Sequence, residues 1–223
     1  MRQIVVIGAD GFATEIMAAA RSSGIDIAGI YDDDPALWGQ RIGGVIVKGP
    51  ISRAPLVGLP AVLAFDDPAR RQAVAEQLNL SILWALVTHP KAIVDDYADV
   101  GPGCVILEGA VLQPGSRLGA HVVIGSKATV AHDCCVDSFA QIRAGVQLAG
   151  FVNVGQGACL EDSAVVIPAV HVGSWSYVAA GSVVIRNVAE HARVAGVPAR
   201  PLTIPTAAVA ASAPIDCANS LPG

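Results

Sequence analysis

A repeat of six residues runs through the middle of the chain and constrains its fold more than any other feature. Every sixth residue from Val94 to Val184 is a branched aliphatic residue, sixteen in succession. The residue four places after each of them, from Ala98 to Val188, is small or slender. Three such hexads make one coil of three short parallel strands, with both columns turned into a triangular prism. The repeat therefore predicts a parallel β-helix of about five coils.

The composition fits this fold and excludes several classes of function. Hydrophobic residues make up 53% of the chain but aromatic residues only 4%, which is typical of many short strands packed through Val, Ile, Leu and Ala. A net charge of −5 argues against nucleic-acid binding. We see neither a secretory leader nor a run of about 18 apolar residues, and we expect a cytoplasmic protein without membrane association. The five cysteines show no zinc-ligand spacing, so no metal is expected.

Residues 1–88 lack the repeat and alternate between strand and helix patterns. A buried strand at 4–7 leads through a tight turn, Gly8 to Gly11, to a helix at 12–22 and a second strand at 27–31. A strand near 61–65 and a helix from about 67 to 77 follow. This order predicts a βαβαβ unit, half of a doubly wound sheet. The predicted fold class is thus an α/β half-Rossmann domain followed by a parallel β-helix.

The first turn and the acidic residues after the second strand resemble a dinucleotide fingerprint. However, Asp10 stands where the second glycine of that motif admits a pyrophosphate, and its carboxylate would repel phosphate. The second mononucleotide unit is also missing, so NAD is not expected to bind. Two interpretations stay open. The turn and Asp32 to Asp34 either hold a polar ligand at a helix N-terminus, or they form only a turn and a solvated loop.

Two residues within the repeat point to chemistry. His132 and Asp133 stand between the packing positions Val130 and Cys134, at a predicted corner of the prism. An imidazole there faces outward, and the adjacent carboxylate can orient it as a general base. The position of Cys134 predicts a packing role and no nucleophilic role. From position alone, a surface histidine on a non-catalytic β-helix scaffold stays open as the alternative.

Five segments in matching order resemble the bacterial sugar acyltransferases of the sialic-acid O-acetyltransferase and nucleotide-linked 4-amino-sugar N-acetyltransferase type. They extend over residues 1 to about 202 and are 7–13, 29–34, 88–92, 131–134 with the surrounding hexads, and 196–200. The resemblance implies a left-handed β-helix, a homotrimer, and acetyl-CoA and a nucleotide sugar as substrates, without a metal. It also implies that His132 is the general base, tuned by Asp133, in a direct transfer.

The resemblance further implies which residues bind the substrates. The expected nucleotide-sugar-binding residues are Gly8, Asp10, Gly11, Phe12, Asp32 and Asp33. Acetyl-CoA is expected in a groove between two β-helices, lined by Gln141, Gly150, Asp162, Ala180 and Gly181, with a backbone N–H near Gly150 polarising the thioester carbonyl. Phe12 replaces a histidine of many relatives, and Ser126–Lys127 replaces an Asn-Thr pair. The acceptor sugar and the choice between N- and O-acetylation therefore stay open.

These observations divide the chain into four parts. Residues 1–88 are predicted to form a Rossmann-like nucleotide-sugar-binding domain, and residues 89–190 the β-helical acyltransferase domain. Residues 191–202 extend that domain, and residues 203–223 form an irregular tail without a catalytic role.

Overall fold

A computed structural model describes residues 2–78 and 81–202, and the predicted tail at 203–223 lies outside the described residues. The chain folds as an α/β domain followed by a left-handed parallel β-helix of about six turns, which confirms the predicted fold class.

The α/β domain is built on three parallel strands in the order β2-β1-β5. Its elements are β1 (Arg2–Ile7), α1 (Gly11–Ser22), β2 (Ile25–Tyr31), β3 (Arg41–Ile42), β4 (Val45–Ile46), β5 (Ala61–Leu63) and α2 (Pro68–Leu78). The connection from β2 to β5 contains the antiparallel β3–β4 hairpin and the 3-10 helices Pro35–Leu37 and Ile51–Val57. It thus takes the place of an α-helical crossover, while Trp84 adds one parallel bridge to Ala61 at the sheet edge.

Helix α1 joins the two halves of the molecule. The Asp10 side chain caps it by accepting a hydrogen bond from the Phe12 N–H, and its buried residues Ala13, Ile16, Met17 and Ala20 follow helical spacing. This apolar stripe packs in one core with the sheet and with outward side chains of the β-helix. The β-helix therefore closes one side of the α/β core.

The β-helix has three faces of two-residue and three-residue strands, named here in chain order. The first face contains Val87–Thr88, Val105–Ile106, Val123–Ile124, Gln141–Ile142, Cys159–Leu160, Tyr177–Val178 and Arg193–Ala195, with Arg200–Pro201 antiparallel at the end. The second face contains Ile93–Val94, Val111–Leu112, Thr129–Val130, Gln147–Leu148, Val165–Val166 and Val183–Val184. The third face contains Asp99–Val100, Arg117–Leu118, Cys135–Val136, Asn153–Val154 and His171–Val172.

Both predicted columns point into the prism. From Ile106 to Val184 every aliphatic column residue is at most 5% exposed, and the residues of the small column from Cys104 to Val188 are buried in the same interior. Only Val94 and Val100, at the open first coil, are partly buried. Cys134 is fully buried in this column, which confirms its predicted packing position. Strands at 87–88 and 193–195 extend the coil beyond the sixteen predicted hexads.

The three faces differ in their outward side chains, and this difference positions the site. On the first face, Val87, Val105 and Val123 are buried under the α/β domain. The third face carries exposed polar residues, including Asp99, Arg117, Asn153 and His171. The outward residues of the second face are Ile93, Val111, Thr129, Gln147, Val165 and Val183. The second face is thus the mostly apolar one that the α/β domain leaves uncovered.

Candidate functional site

The predicted catalytic pair lies on the corner between the second and third faces. The strand Thr129–Val130 ends there, and residues 131–134 turn into Cys135–Val136. Asp133 takes the left-handed backbone conformation, with φ 57°, and its N–H donates to the Pro114 carbonyl of the preceding coil. The His132 carbonyl accepts from the Phe151 N–H of the following coil. Both residues are therefore held by backbone bonds to the coils on either side.

The two side chains are in contact and half exposed. His132 Nδ1 lies 2.9 Å from Asp133 Oδ2, and the side chains are 52% and 51% exposed. The contact occupies Nδ1 and leaves Nε2 as the nitrogen available to another molecule. The arrangement provides an oriented imidazole at the surface, which is what a general base requires.

Two neighbours complete the corner, and neither was predicted from the sequence. The Gln113 side chain accepts a hydrogen bond from the His132 N–H through Oε1, at 3.1 Å. The Phe151 ring meets the imidazole edge-on, with centroids 5.1 Å apart. The signal for both is the coil length, since residues about eighteen positions apart are neighbours on adjacent coils. The Gly150 N–H, beside the ring, donates to no acceptor within the described residues.

Asp133 also borders a surface cavity of about 520 Å³ on the third-face side of the corner. Tyr97, Asp99 and Arg117 contribute to its lining. Cys134 lies inside the prism, and burial raises the pKa of its thiol, which disfavours a thiolate nucleophile. Among residues 2–78 and 81–202, no group of three or more His, Cys, Asp or Glu side chains is arranged to hold a metal ion.

The predicted acetyl-CoA residues lie in three places. Asp162, Ala180 and Gly181 stack on the corner between the first and second faces, where the Gly181 N–H donates to the Asp162 carbonyl. Gly150 lies under the His132 ring on the opposite edge of the second face. Gln141 lies on the first face, buried, with its Nε2 directed to Asp66 Oδ1 at 3.4 Å. The structure thus places Gly150 and the other corner residues on the two edges of the second face, and Gln141 under the α/β domain.

The glycine turn after β1 is filled from within the domain. Gly8 has φ +105°, and a Cβ there would lie 2.7 Å from the Phe65 ring. The turn therefore needs glycine for the close approach of an internal side chain. Asp10 caps α1, and burial raises the pKa of its carboxyl despite the opposing hydrogen bond from Phe12. Gly11 is exposed and Phe12 is half-buried at the start of the helix.

The acidic residues after β2 have defined internal partners. Asp32 is 4% exposed, and its two carboxylate oxygens accept from the Ala9 and Asp34 N–H groups, each at 2.9 Å. Asp33 is exposed and accepts from the Ile51 N–H through Oδ1, at 2.9 Å. Asp32 therefore ties the two loops at the carboxyl ends of β1 and β2 together, while Asp33 keeps one oxygen at the surface.

A second cleft, of about 480 Å³, lies between the α/β domain and the first face and was not found from the sequence. Its lining includes Asp10, Arg70, Arg143 and Arg193. Arg143 pairs with Asp66 at 2.6 Å, and that carboxylate is the main factor that raises the guanidinium pKa against the effect of burial. The sequence gives no signal for this cleft, because residues far apart in the chain meet there only after the domains pack.

Comparisons with known proteins agree with the fold and with an acetyl-transfer chemistry. No protein-family model matches the chain. A histidine-to-asparagine variant of perosamine N-acetyltransferase from Caulobacter crescentus, solved with CoA and GDP-perosamine, superposes with a TM-score of 0.86 at 29% identity over 91% of this chain and 97% of that chain. PerB from the same organism, also solved with CoA and GDP-perosamine, gives 0.85 at 30% identity, covering 91% and 98%.

The acetyltransferase domain of PglB from Neisseria gonorrhoeae, solved with acetyl coenzyme A, gives a TM-score of 0.83 at 30% identity and covers 90% of this chain and 99% of that domain. The curated relatives match a shorter part of the chain. Serine acetyltransferase 4 of Arabidopsis thaliana is 29% identical over 136 residues, which are 57% of this chain and 32% of that protein. The match therefore spans about a third of the relative's length. Within the described residues, no helix has the length and apolar character needed to cross a bilayer.

Proposed function

Because the chain belongs to the hexapeptide-repeat acyltransferases, we propose that it transfers the acetyl group of acetyl-CoA to the amino group of a nucleotide-linked 4-amino-(di)deoxy sugar. Support comes from relatives about 30% identical over nearly the whole fold, which were solved with CoA and GDP-perosamine or with acetyl coenzyme A. The proposed location is the cytoplasm, where both substrates would be available.

The observation that carries this proposal is the exposed His132–Asp133 contact of 2.9 Å. In the proposed reaction the sugar amine attacks the thioester carbonyl carbon, and His132 Nε2 takes the proton that the amine loses. Asp133 holds Nδ1, which leaves Nε2 free to accept the proton. The tetrahedral intermediate then collapses, the carbon–sulfur bond breaks, and the CoA thiolate leaves and is protonated.

The Gly150 N–H is the proposed donor to the oxyanion. It lies beside the imidazole and has no acceptor among the described residues. A preorganised backbone donor stabilises the negative charge that develops on the carbonyl oxygen. No metal and no acyl-cysteine intermediate is part of the proposed reaction.

We further propose that acetyl-CoA binds along the second face, in a groove between two copies of a homotrimer. Gly150 on one edge of that face and Asp162, Ala180 and Gly181 on the other edge are the proposed contacts. A Cβ at Gly181 would meet nothing within 4 Å, so this corner is open. The apolar outward side chains of the second face support a second copy as the other wall.

For the nucleotide we propose the exposed edge of the loops that follow β1 and β2. Gly11, Phe12 and the free oxygen of Asp33 are the accessible groups there. Gly8, Asp10 and Asp32 shape the same loops through the internal contacts described above. These roles support part of the interpretation of the turn as a ligand site. Asp32 would contribute indirectly, by holding the loops in place.

The test is thiol release from acetyl-CoA with UDP-, dTDP- and GDP-linked 4-amino-6-deoxy sugars. We expect turnover with one nucleotide series and a loss of about a hundredfold to a thousandfold in kcat for His132→Asn. His171→Asn is the matched control, since His171 is exposed on the third face and should leave turnover unchanged. Retained turnover in His132→Asn would contradict the base assignment, and release only with hydroxy sugars would indicate O-acetylation.

The trimer is tested separately by light scattering coupled to size exclusion. Val165→Glu places a charge among the apolar outward side chains of the second face and should give monomers, whereas Asn153→Glu on the third face should not. A monomeric parent protein with full turnover would contradict the proposed groove.

A further inference from the structure

On the basis of the function proposed above, we infer that Gly115 and Gly150 are positioning residues for the His132–Asp133 pair. Each glycine belongs to a neighbouring coil at the same corner, Gly115 before the pair and Gly150 after it. The Asp133 carboxylate packs against Gly115, and the His132 imidazole packs against Gly150.

The Asp133 carboxylate lies directly against Gly115. A Cβ built at residue 115 would lie 2.6 Å from Asp133 Oδ1 and 3.4 Å from Cγ. The other oxygen, Oδ2, is the one in contact with His132 Nδ1. Any side chain at residue 115 would therefore push the carboxylate away and break its contact with the ring.

The His132 ring lies against Gly150 in the same manner. A Cβ at residue 150 would lie 2.6 Å from both Cε1 and Nε2 of the imidazole. Nε2 is the nitrogen that the proposed base must present to the amine. A methyl group at residue 150 would displace the ring and cover this atom, while the backbone N–H of residue 150 would remain.

Backbone conformation does not explain the glycine at 115. Gly115 has φ +74°, but Asp133, Phe151 and Ala169, at the equivalent place in the next three coils, have φ 57°, 62° and 60°. Side chains are thus accommodated in this corner conformation. Gly150 does not have a positive φ at all. The reason for glycine at residues 115 and 150 is therefore their close contact with Asp133 and His132.

The same packing occurs elsewhere in the β-helix. Gly103 lies against the His121 ring and Gly157 against the Trp175 ring. A glycine under a large side chain of the next coil is therefore a general device of this fold. At residues 115 and 150 the side chains that pack on the glycines are the two members of the proposed catalytic pair. There the same packing also sets the orientation of the pair.

The test compares Gly115→Ala and Gly150→Ala with Gly109→Ala in the full chain. Gly109 has φ +72°, close to that of Gly115, but the nearest atom to a Cβ there would be Lys127 Cγ, at an ordinary contact distance of 3.5 Å. The control therefore carries the same backbone strain without the contact. The first measurement is the ¹⁵N chemical shifts of the His132 ring at alkaline pH, which report the nitrogen that carries the proton. The second is kcat and KM for acetyl-CoA.

We expect the parent protein and Gly109→Ala to carry the proton on Nδ1, towards Asp133, and the two other variants to shift towards the Nε2–H tautomer. Their kcat should fall about a hundredfold, as for a misplaced catalytic group. In Gly115→Ala, which lies outside the proposed acetyl-CoA contacts, KM for acetyl-CoA should change less than about threefold. Retention of the Nδ1–H tautomer in either folded variant would overturn the inference for that glycine, whatever its kcat.

The tautomer measurement needs no substrate, so it distinguishes a failure of the positioning role from a failure of the proposed reaction. If Gly115→Ala does not fold, Gly150→Ala carries the test, because its backbone imposes no left-handed strain. An unchanged tautomer in that folded variant would by itself contradict the assignment of Gly150.

Discussion

His121 lies at a corner of the β-helix beneath the α/β domain, enclosed by two aromatic rings. Its imidazole stacks on Phe139, with centroids 5.1 Å apart, and meets Trp84 edge-on at 4.6 Å. The residue is 4% exposed, and its Nδ1 has no hydrogen-bond partner among the described residues. Burial, with a smaller contribution from the charge of Arg71, lowers the His121 pKa to about 4.

This pKa makes the stability of the folded chain depend on pH. Between the pKa of an unfolded histidine, about 6.5, and the folded pKa, the unfolded state binds a proton that the folded state does not bind. The contribution of His121 to stability is therefore complete above this pH range and is lost as the pH falls through it. With these two values, the free energy of unfolding at pH 5 is lower by about 2 kcal/mol than at pH 7 because of His121 alone. We expect His121→Phe, which keeps an aromatic ring between Trp84 and Phe139, to remove this loss.

The assay is urea unfolding of the parent protein and His121→Phe at each of the two pH values. A fixed packing cost of the Phe side chain cancels when each protein is compared with itself at pH 5 and pH 7. The expected result is that this pH-dependent change in the free energy of unfolding differs by about 2 kcal/mol between the two proteins. His171→Phe, on the exposed third face, should give none. A value under about 0.5 kcal/mol for His121→Phe would refute the reasoning, because it would mean that the folded chain accepts the proton as readily as the unfolded one.

Three further outcomes follow from burial and hydrogen bonding. Arg71→Met should cost about 3 kcal/mol in urea unfolding, because the buried guanidinium donates to three backbone carbonyls, whereas Arg70→Met on the exposed side of the same helix should cost less than about 1 kcal/mol. Leu148→Ala should cost about 2 to 5 kcal/mol in the same assay, since Leu148 points into the prism, and the adjacent outward Gln147→Ala should be close to neutral. Asp32→Ala leaves two backbone N–H groups without an acceptor and should cost about 2 kcal/mol, measured as a lowered thermal midpoint.

The β-helix could be predicted from the sequence because each coil repeats the same two inward positions. Leu148, Leu112 and Val184 are all aliphatic because each points into the prism. A single period of six residues is therefore enough to predict the whole β-helix. The outward position of His132 followed from the same count. That prediction needed no knowledge of distant contacts, since the packing neighbours of every column residue lie eighteen positions away.

The contacts of the α/β domain could not be predicted in this way. Gly8 reads as a ligand turn, but Phe65 fills the space above it, and only the folded sheet brings the two together. Asp32 matches an acidic residue of a nucleotide-binding pattern, and the sequence does not show that its two oxygens accept from the Ala9 N–H of the loop after β1 and the Asp34 N–H of its own loop. Local patterns record which residue types stand at the ends of strands. They do not show whether the polar groups at those strand ends bind another part of the chain or a ligand.

The β-helix also explains how the proposed catalytic pair, two adjacent residues, is oriented without a loop of its own. The backbone around His132 and Asp133 is bonded to Pro114 on one side and to Phe151 on the other, so it cannot move without opening a coil. The side chains of Asp133 and His132 lie against Gly115 and Gly150 of those same coils, the proposed source of their orientation. Such preorganisation lowers the reorganisation that a reaction would otherwise require. Side chains that contact neither member of the pair, such as Ser126 and Lys127 at the far corner of the second face, can then change without disturbing it.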